Sequence, residues 1–187
     1  MVAKAKYPAD WQRDAKTRDG VAYRIRPIRT ADAQRERDFI VSLSEESRYN
    51  RLMYTLREPS GAFIEQLVDV DYRSTMAFVA VIGDGADERI MGIARYAADG
   101  TGSACEFGVA VADDWQARGI GTTLMRLLFD YAKANGFRRI YGTVLTGNER
   151  MIRLAHWLGL RTQDSPDDAT QVIASLDLAG RTHAPKV

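Results

Sequence analysis

The sequence predicts an α/β (α+β) fold, a single domain in which a mixed, mostly antiparallel sheet is flanked by helices. Its 187 residues are enough to build one well-formed core. Between residues 76 and 112, three apolar runs of strand length are separated by glycine-rich turns, which is typical of an antiparallel meander. Beyond residue 119 the apolar residues recur at helical spacing, so helices and strands are expected to alternate toward the C terminus.

The predicted domain occupies residues 21–178. Residues 1–20 show no clear hydrophobic period and end in the turn signal Asp19-Gly20, so we expect a flexible lead-in. The polar residues 179–187 are expected to form a disordered tail.

The first elements follow from alternation and from helix caps. Apolar and polar residues alternate over residues 21–26, which predicts a strand that Pro27 closes. Thr30 and Ser44 can accept hydrogen bonds from free amides of a first helical turn, which predicts helices to about residues 43 and 53. Ser60 predicts a further short helix to residue 68 by the same chemistry.

The later elements follow from a change of period. Strands are predicted at residues 76–82, 89–97, 103–112, 138–145 and 171–176. A long helix starts at Ile120, since residues 4, 7, 8 and 11 positions later are also apolar, and it ends at Asn135-Gly136. A second helix is predicted over residues 149–158, and the acidic residues 163–169 are expected to form turns.

Composition excludes several classes of protein. The formal net charge of +1 favours neither nucleic acid nor an anionic membrane, although residues 1–30 hold eight basic and three acidic residues. That N-terminal excess fits a solvated arm or a surface for an acidic partner. One cysteine, Cys105, cannot form an internal disulfide and is interpreted as a buried structural thiol. Because the sequence has two histidines, we expect no metal site, and His156 is interpreted as a surface residue. We expect a cytoplasmic protein, either a monomer or a homodimer.

Residues 116–122, Gln-Ala-Arg-Gly-Ile-Gly-Thr, are the most informative about function. They lie between a predicted strand and the long helix, where free helix amides and the helix dipole form a phosphate cradle. Gly119 and Gly121 let the backbone approach an anion, and Arg118 adds positive charge. A dinucleotide fingerprint would need a third glycine at position 124, which is Leu124, and no Walker A Gly-Lys-Ser/Thr follows.

The cradle resembles a known cofactor loop. Gln116, Gly119 and Gly121 match position by position the Gln/Arg-x-x-Gly-x-Gly/Ala loop that binds acyl-CoA pyrophosphate in the GNAT superfamily, and the resemblance extends over residues 21–176. It implies a splayed parallel strand pair around the pantetheine arm, and acetyl-CoA as the donor. The cofactor-binding residues that it implies are Val109, Ala110, Val111, Gln116, Ala117, Arg118, Gly119, Ile120, Gly121, Thr122 and Asn148. Asn148 is alternatively a plain helix N-cap.

Several stretches resemble the catalytic domain of bacterial Pat-type protein lysine acetyltransferases. They are residues 25–29, 43–49, 71–72, 106–107 and 113–116. The resemblance implies that Glu106 is the general base that deprotonates the attacking amine. Its apolar neighbours predict partial burial, which would raise the pKa of its carboxyl group. Alternatively, Glu106 pairs with an arginine such as Arg95 on the neighbouring strand.

The leading hypothesis is therefore transfer of an acetyl group from acetyl-CoA to a primary amine in a ternary complex. A protein lysine is the first candidate acceptor and a small amine metabolite the second. Many superfamily members have a tyrosine general acid at the position of Ala155, so a non-catalytic CoA-binding module is a further alternative. Tyr49 and Tyr72 are candidates for the border of the acceptor cleft, with ordinary packing as the alternative.

Overall fold

The computed structural model describes residues 5–52 and 58–180. These residues contain one eight-stranded sheet. The strands are β1 (Arg13–Lys16), β2 (Ala22–Pro27), β3 (Thr75–Ile82), β4 (Arg89–Ala98), β5 (Ala104–Val111), β6 (Arg139–Leu145), β7 (Arg161–Asp164) and β8 (Gln171–Asp177). Their order in the sheet is β1-β2-β3-β4-β5-β6-β8-β7, and every pair except β5–β6 is antiparallel. The predicted α/β fold with a mixed, mostly antiparallel sheet is confirmed.

The predicted helices are also present. They are α1 (Ala33–Ser42), α2 (Glu45–Leu52), α3 (Gly61–Val68), α4 (Ile120–Ala134) and α5 (Glu149–Trp157). The Ser60 side chain accepts a hydrogen bond from the Phe63 amide at 3.2 Å, as expected of an N-cap. The predicted end of the second helix, at residue 53, lies outside the described residues. Among the helices described here, none has the length and apolar character needed to cross a bilayer.

The parallel pair β5–β6 splays apart, as predicted. Pairing extends only from Ala104 and Arg139 to Glu106 and Tyr141, although both strands continue beyond this point. A Cβ atom at Gly142 would lie 2.8 Å from the Phe107 ring. The ladder therefore stops where this ring packs directly against the β6 backbone, and a gap opens between the strand ends.

The sheet is longer at both edges than the sequence predicts. Residues 1–20 were expected to lack regular structure, but β1 pairs with β2 from Arg13 opposite Ile25 to Lys16 opposite Ala22. Part of the segment 163–169, expected to form turns, belongs to β7. Both strands are four residues long and polar, so backbone hydrogen bonds to a neighbouring strand hold them rather than apolar side chains. The predicted tail lies mostly in residues 181–187, outside the described range.

Helix α4 anchors the core beside the gap. Ile120, Leu124 and Leu128 on its predicted apolar stripe are at most 1% exposed and pack against the sheet. Burying a side chain of this size stabilises the fold by roughly 1.5–3 kcal/mol. Because the helix is fixed along its length, its first turn has a defined position at the end of β5.

Candidate functional site

A cleft of about 1140 Å³ opens where β5 and β6 separate. Its walls come from α2, β5, the loop before α4, and α5. Every predicted cofactor-binding residue except Arg118 borders it, and so does Glu106. The tertiary structure therefore brings together residues that are up to 42 positions apart in the sequence, from Glu106 to Asn148.

The last residues of β5 present a free backbone edge to this cleft. Val109, Ala110 and Val111 pair with Ala94, Ile93 and Gly92 of β4 on one side. On the other side the pairing with β6 has already ended at Glu106. The three residues are half-buried, and those of their backbone groups that do not bind β4 face the cleft, where an extended ligand can add as a strand would.

The loop before α4 turns sharply into the helix. Ala117 and Gly119 have φ angles of +62° and +93°, and Gly119 is the residue that caps α4. Helix α4 then begins at Ile120, so the amides of Ile120, Gly121 and Thr122 belong to its first turn, where an α-helix supplies no internal acceptor. A left-handed residue at position 119 favours glycine, and the dipole of a helix of 15 residues reinforces an anion site here.

Gln116 braces this loop through its side-chain amide. Its Nε2 donates to the Val111 carbonyl oxygen at 3.0 Å and to the Ser47 hydroxyl at 3.1 Å. Its Oε1 accepts from the Arg150 guanidinium. One side chain thus connects the end of β5, the start of α2 and the first turn of α5, which fixes the cradle relative to three walls of the cleft.

Asp113 is a site residue that sequence reasoning did not single out. Its carboxylate accepts hydrogen bonds from the Ser44 amide and hydroxyl, both at 2.9 Å, and from the Ser47 hydroxyl at 2.7 Å. Partial burial alone would raise the pKa of this carboxyl group, but the hydrogen bonds from Ser44 and Ser47 bring the pKa below its ordinary value. Asp113 therefore holds the start of α2 against the cofactor loop as an anion.

The positive charge beside the cradle comes from a different arginine than predicted. Arg118 pairs with Asp19 at 2.9 Å, lies 4.9 Å over the Trp115 ring, and does not border the cleft. Arg18, in the turn between β1 and β2, does border it, and its Nη1 donates to the Ala117 carbonyl oxygen at 3.4 Å. Sequence reasoning missed Arg18 because it assigned this turn to a flexible lead-in.

Glu106 faces the cleft but is not buried. Its side chain is exposed, so the prediction of partial burial is wrong. The alternation of β5 buries Cys105 and Phe107 instead, and Glu106 lies on the open face of the strand. Its Oε1 accepts a long hydrogen bond of 3.4 Å from the Thr143 hydroxyl on β6.

The alternative pairing of Glu106 with Arg95 is also wrong, because Arg95 pairs with Glu36 of α1. The Arg95 Nη2 atom lies 2.7 Å from the Glu36 Oε1 atom, and Glu36 is only 2% exposed. Burial raises the pKa of the Glu36 carboxyl group, and the charges of Arg95 and Arg51 oppose this shift. Arg95 of this pair borders the cleft, opposite Gly108 of β5.

Helix α2 also borders the cleft and approaches β5 closely. Arg51, in its last turn, borders the cleft on the face of β5 that carries Glu106 and Gly108. A Cβ atom at Gly108 would lie 2.8 Å from the Arg51 guanidinium. A larger residue at position 108 would therefore displace the Arg51 guanidinium, which is the flexible end of its side chain, from this place.

The remaining predicted residues divide between structural and cleft positions. Asn148 is the predicted N-cap, since its side chain accepts from the Met151 amide at 3.1 Å, and it also borders the cleft. Cys105 is fully buried, and burial raises the pKa of its thiol to about 12, as fits a structural thiol. Tyr72 is buried and donates to the Ile28 carbonyl oxygen, so it packs rather than lines the cleft.

Three other features concern residues that the sequence analysis discussed. Position 155 in α5 is an alanine and therefore carries no hydroxyl group, and its side chain is completely buried. His156 is exposed and lies 2.8 Å from the Thr162 hydroxyl, which confirms its surface position. No group of three or more potential metal ligands occurs among residues 5–52 and 58–180.

The sequence profile of the acetyltransferase (GNAT) family matches residues 36–160. A Pseudomonas aeruginosa protein named as an acetyltransferase is 44% identical over 160 residues, with 86% of each chain covered. The acetyltransferase Pat of Mycolicibacterium smegmatis is 34% identical over 143 residues, which are 76% of this chain but 42% of that longer protein. The crystal structure of the GNAT domain of Streptomyces lividans PAT superposes with a TM-score of 0.85 at 27% identity, covering 92% of this chain and 99% of that domain.

Proposed function

This chain belongs to the acetyltransferase (GNAT) family, and we propose that it transfers an acetyl group from acetyl-CoA to a primary amine by direct attack in a ternary complex. The observation that carries the proposal is the cleft itself. A free strand edge, a helix-start anion cradle and an exposed carboxylate lie along one continuous surface.

Two neighbouring parts of the cleft offer partners to two successive parts of the donor, the pantetheine arm and the pyrophosphate. The edge at Val109, Ala110 and Val111 offers backbone partners to the two amide groups of a pantetheine arm. The first turn of α4 and Arg18 offer amides and positive charge to a pyrophosphate. Gln116 supports this cradle indirectly, because its polar atoms already bind other protein groups.

Glu106 is the proposed general base. A lysine amine has a pKa near 10.4, so only roughly one molecule in 10³ is unprotonated at neutral pH. An exposed carboxylate can accept that proton directly or through one water molecule. The amine nitrogen then forms a bond to the thioester carbon, the carbon–sulfur bond breaks, and the thiolate leaves. Backbone amides near Val109 would stabilise the negative charge that develops on the carbonyl oxygen.

No dedicated acid is needed for the leaving group in this scheme. Ala155 offers no proton, but a thiol has a pKa near 8.5, so a thiolate leaves far more readily than an alkoxide and takes its proton from water.

A protein lysine is the proposed acceptor. The cleft is bordered by the carboxylates of Glu46, Asp69 and Glu106, which can attract a cationic side chain, although the Arg51 guanidinium also borders it. The positive charge of Arg95 is matched by Glu36. The 34% identity with a protein named acetyltransferase Pat supports the same choice.

The test combines a thiol-release assay with mass spectrometry of co-incubated proteins. We expect the wild type to release free CoA and to add acetyl groups to lysine side chains. Glu106→Gln should lower kcat about 10²-fold or more while CoA binding persists. Glu65→Gln, an exposed carboxylate on α3 away from the cleft, serves as the matched control and should leave kcat unchanged.

Three outcomes would contradict the proposal in different ways. Acetylation of small amines only would replace the protein acceptor with a metabolite. Normal CoA binding with no turnover above that of Glu106→Gln would indicate a non-catalytic CoA-binding module. No binding of acetyl-CoA by the wild type would remove the donor and with it the proposed reaction.

A further inference from the structure

An exposed indole borders the cleft at the C-terminal end of α5. Trp157, the last residue of this helix, is 59% exposed and borders the cleft. The Arg126 guanidinium of α4 lies 4.7 Å over its ring. This cation–π contact holds one face of the indole and thereby fixes its orientation. The side chain keeps enough exposed surface for a flat partner to stack on it.

Two guanidinium groups accompany this indole on the same helix. Arg150 and Arg153 also border the cleft, and they precede Trp157 by seven and four positions. Side chains at these spacings project from one side of an α-helix. We call these three residues the α5 face. Arg153 pairs with Glu149 at 3.0 Å, but both side chains are more than two-thirds exposed, so a more highly charged anion can displace Glu149.

A contact of Arg150 places one end of the α5 face beside the cradle. Arg150 donates to the Gln116 side chain of the cofactor loop, so this end of the helix lies beside the proposed pyrophosphate site. Trp157 follows about 10 Å further along the helix axis. The cleft therefore presents first an anion cradle, then a guanidinium, then a flat aromatic ring.

We infer that the α5 face binds the 3′-phosphorylated adenosine end of acyl-CoA, with the adenine base stacked on Trp157 and the 3′-phosphate paired with Arg153. The inference rests on the proposed function, since it assumes acyl-CoA as the ligand of the cleft. Bases stack on aromatic side chains, and guanidinium groups are the preferred partners of phosphates. The order of groups along the cleft matches the order of phosphate, ribose and base in a nucleotide.

A consequence is that the protein distinguishes whole CoA from its fragments at a place remote from the chemistry. Removing the 3′-phosphate should weaken binding through Arg153. Removing the whole nucleotide should make binding independent of both Arg153 and Trp157.

The experiment is calorimetric titration of the full chain with CoA, dephospho-CoA and pantetheine. We expect Trp157→Ala to weaken CoA about tenfold, within the range measured for removing an aromatic stacking partner. Trp157→Phe should recover most of this loss, because a phenyl ring also stacks. Arg153→Gln should bring the affinities for CoA and dephospho-CoA together. Tyr49→Ala removes another exposed aromatic side chain, away from the cleft, and is the matched control.

The outcomes separate this inference from the proposed function. Wild-type binding of CoA that Trp157→Ala and Arg153→Gln leave unchanged would overturn the inference alone. Unchanged CoA binding together with an altered sedimentation coefficient in Trp157→Ala would overturn it in favour of a protein contact at this surface. No binding of CoA or pantetheine by the wild type would overturn the proposed donor site as well.

Discussion

The two ends of the cleft differ in the chemical groups that form them. The end assigned to CoA consists mainly of backbone: a strand edge at Val109, Ala110 and Val111, and the first turn of α4 after Gly119. The end assigned to the acceptor consists of side-chain charges, among them Arg95, which pairs with the buried Glu36 behind it.

This difference predicts that substitutions at the two ends have different consequences. A backbone site depends on conformation and open space, so a substitution there can abolish binding and leave most of the core unaffected. A buried charge pair is part of the core, so removing one partner leaves a desolvated charge and destabilises the fold. Measuring the free energy of unfolding and the CoA dissociation constant for the same variants distinguishes the two cases.

The largest expected effect is that of Arg95→Met on stability. The substitution removes the guanidinium that pairs with the Glu36 carboxylate, and we expect a loss of about 3 kcal/mol in the free energy of unfolding at neutral pH. The pKa of the Glu36 carboxyl group is already raised by burial, and it should rise further without Arg95. A raised folded-state pKa favours the folded protein below the unfolded value of about 4.3, so the deficit should shrink as the pH falls.

Chemical denaturation of Arg95→Met between pH 7 and pH 5 measures this effect. Arg89→Met, an exposed position on the same strand, is the control and should change stability by less than about 0.5 kcal/mol. Equal stability of the two variants would show that the Glu36–Arg95 pair does not support the fold.

The next effect is the loss of CoA binding in Gly119→Glu. The new carboxylate would stand at the anion cradle, and we expect the dissociation constant to rise at least about 100-fold, or about 2.7 kcal/mol. The left-handed backbone at position 119 adds a stability cost of roughly 1–2 kcal/mol for any residue with a Cβ atom.

Gly136→Glu separates these two contributions. Gly136 has a similar φ angle of +89° and open space around it, but it lies at the other end of α4. Calorimetry should therefore find the same loss of stability in both variants and normal CoA binding only in Gly136→Glu. Weak binding by both variants would attribute the defect to backbone strain and not to the cradle.

A smaller effect on stability is expected from Asp113, which connects the start of α2 to the cofactor loop. Asp113→Asn weakens the hydrogen bonds that hold the start of α2, and we expect a loss of about 1 kcal/mol because the site is largely exposed. The lowered pKa of Asp113 means that its contribution is present above the unfolded value of about 3.9 and is lost as the pH falls through the folded-state pKa.

Thermal unfolding at a series of pH values tests this linkage. The melting temperatures of wild type and Asp113→Asn should differ near pH 7 and converge below about pH 4. Asp114→Asn, at the exposed neighbouring position, is the matched control. A difference that persists at low pH would assign the effect of Asp113 to something other than its charge.

The smallest effect concerns acceptor specificity. In Gly108→Ala the new methyl group would lie 2.8 Å from the Arg51 guanidinium, which is the flexible end of a long side chain and can shift. We expect a change of up to about fivefold in the KM for the amine and no change in CoA affinity. Gly61→Ala, where a methyl group meets open space, is the control for steady-state kinetics. A larger change in CoA affinity than in amine KM would reverse the assignment of the two ends.

The local elements of the fold were predictable because they depend on short-range patterns. The apolar stripe from Ile120 and the Ser60 cap each predicted a helix that the structure contains. Strands β1 and β7 were not predictable, since Arg13–Lys16 and Arg161–Asp164 have polar sequences and only a neighbouring strand explains their extended conformation. The same error excluded Arg18 from the site.

The sequence by itself determined the turn into α4, because Gly119 supplies the left-handed residue directly before the first helical turn. Only the tertiary structure decided the charges around it. It paired Arg118 with Asp19, placed Arg18 at the cradle and joined Arg95 to Glu36. A glycine turn is a property of its own φ and ψ angles, whereas the partner of an arginine depends on which distant strand or helix lies within a few ångströms. The exposure of Glu106 likewise depended on which face of β5 the rest of the fold covers, because the structure buries Cys105 and Phe107 and leaves Glu106 on the open face.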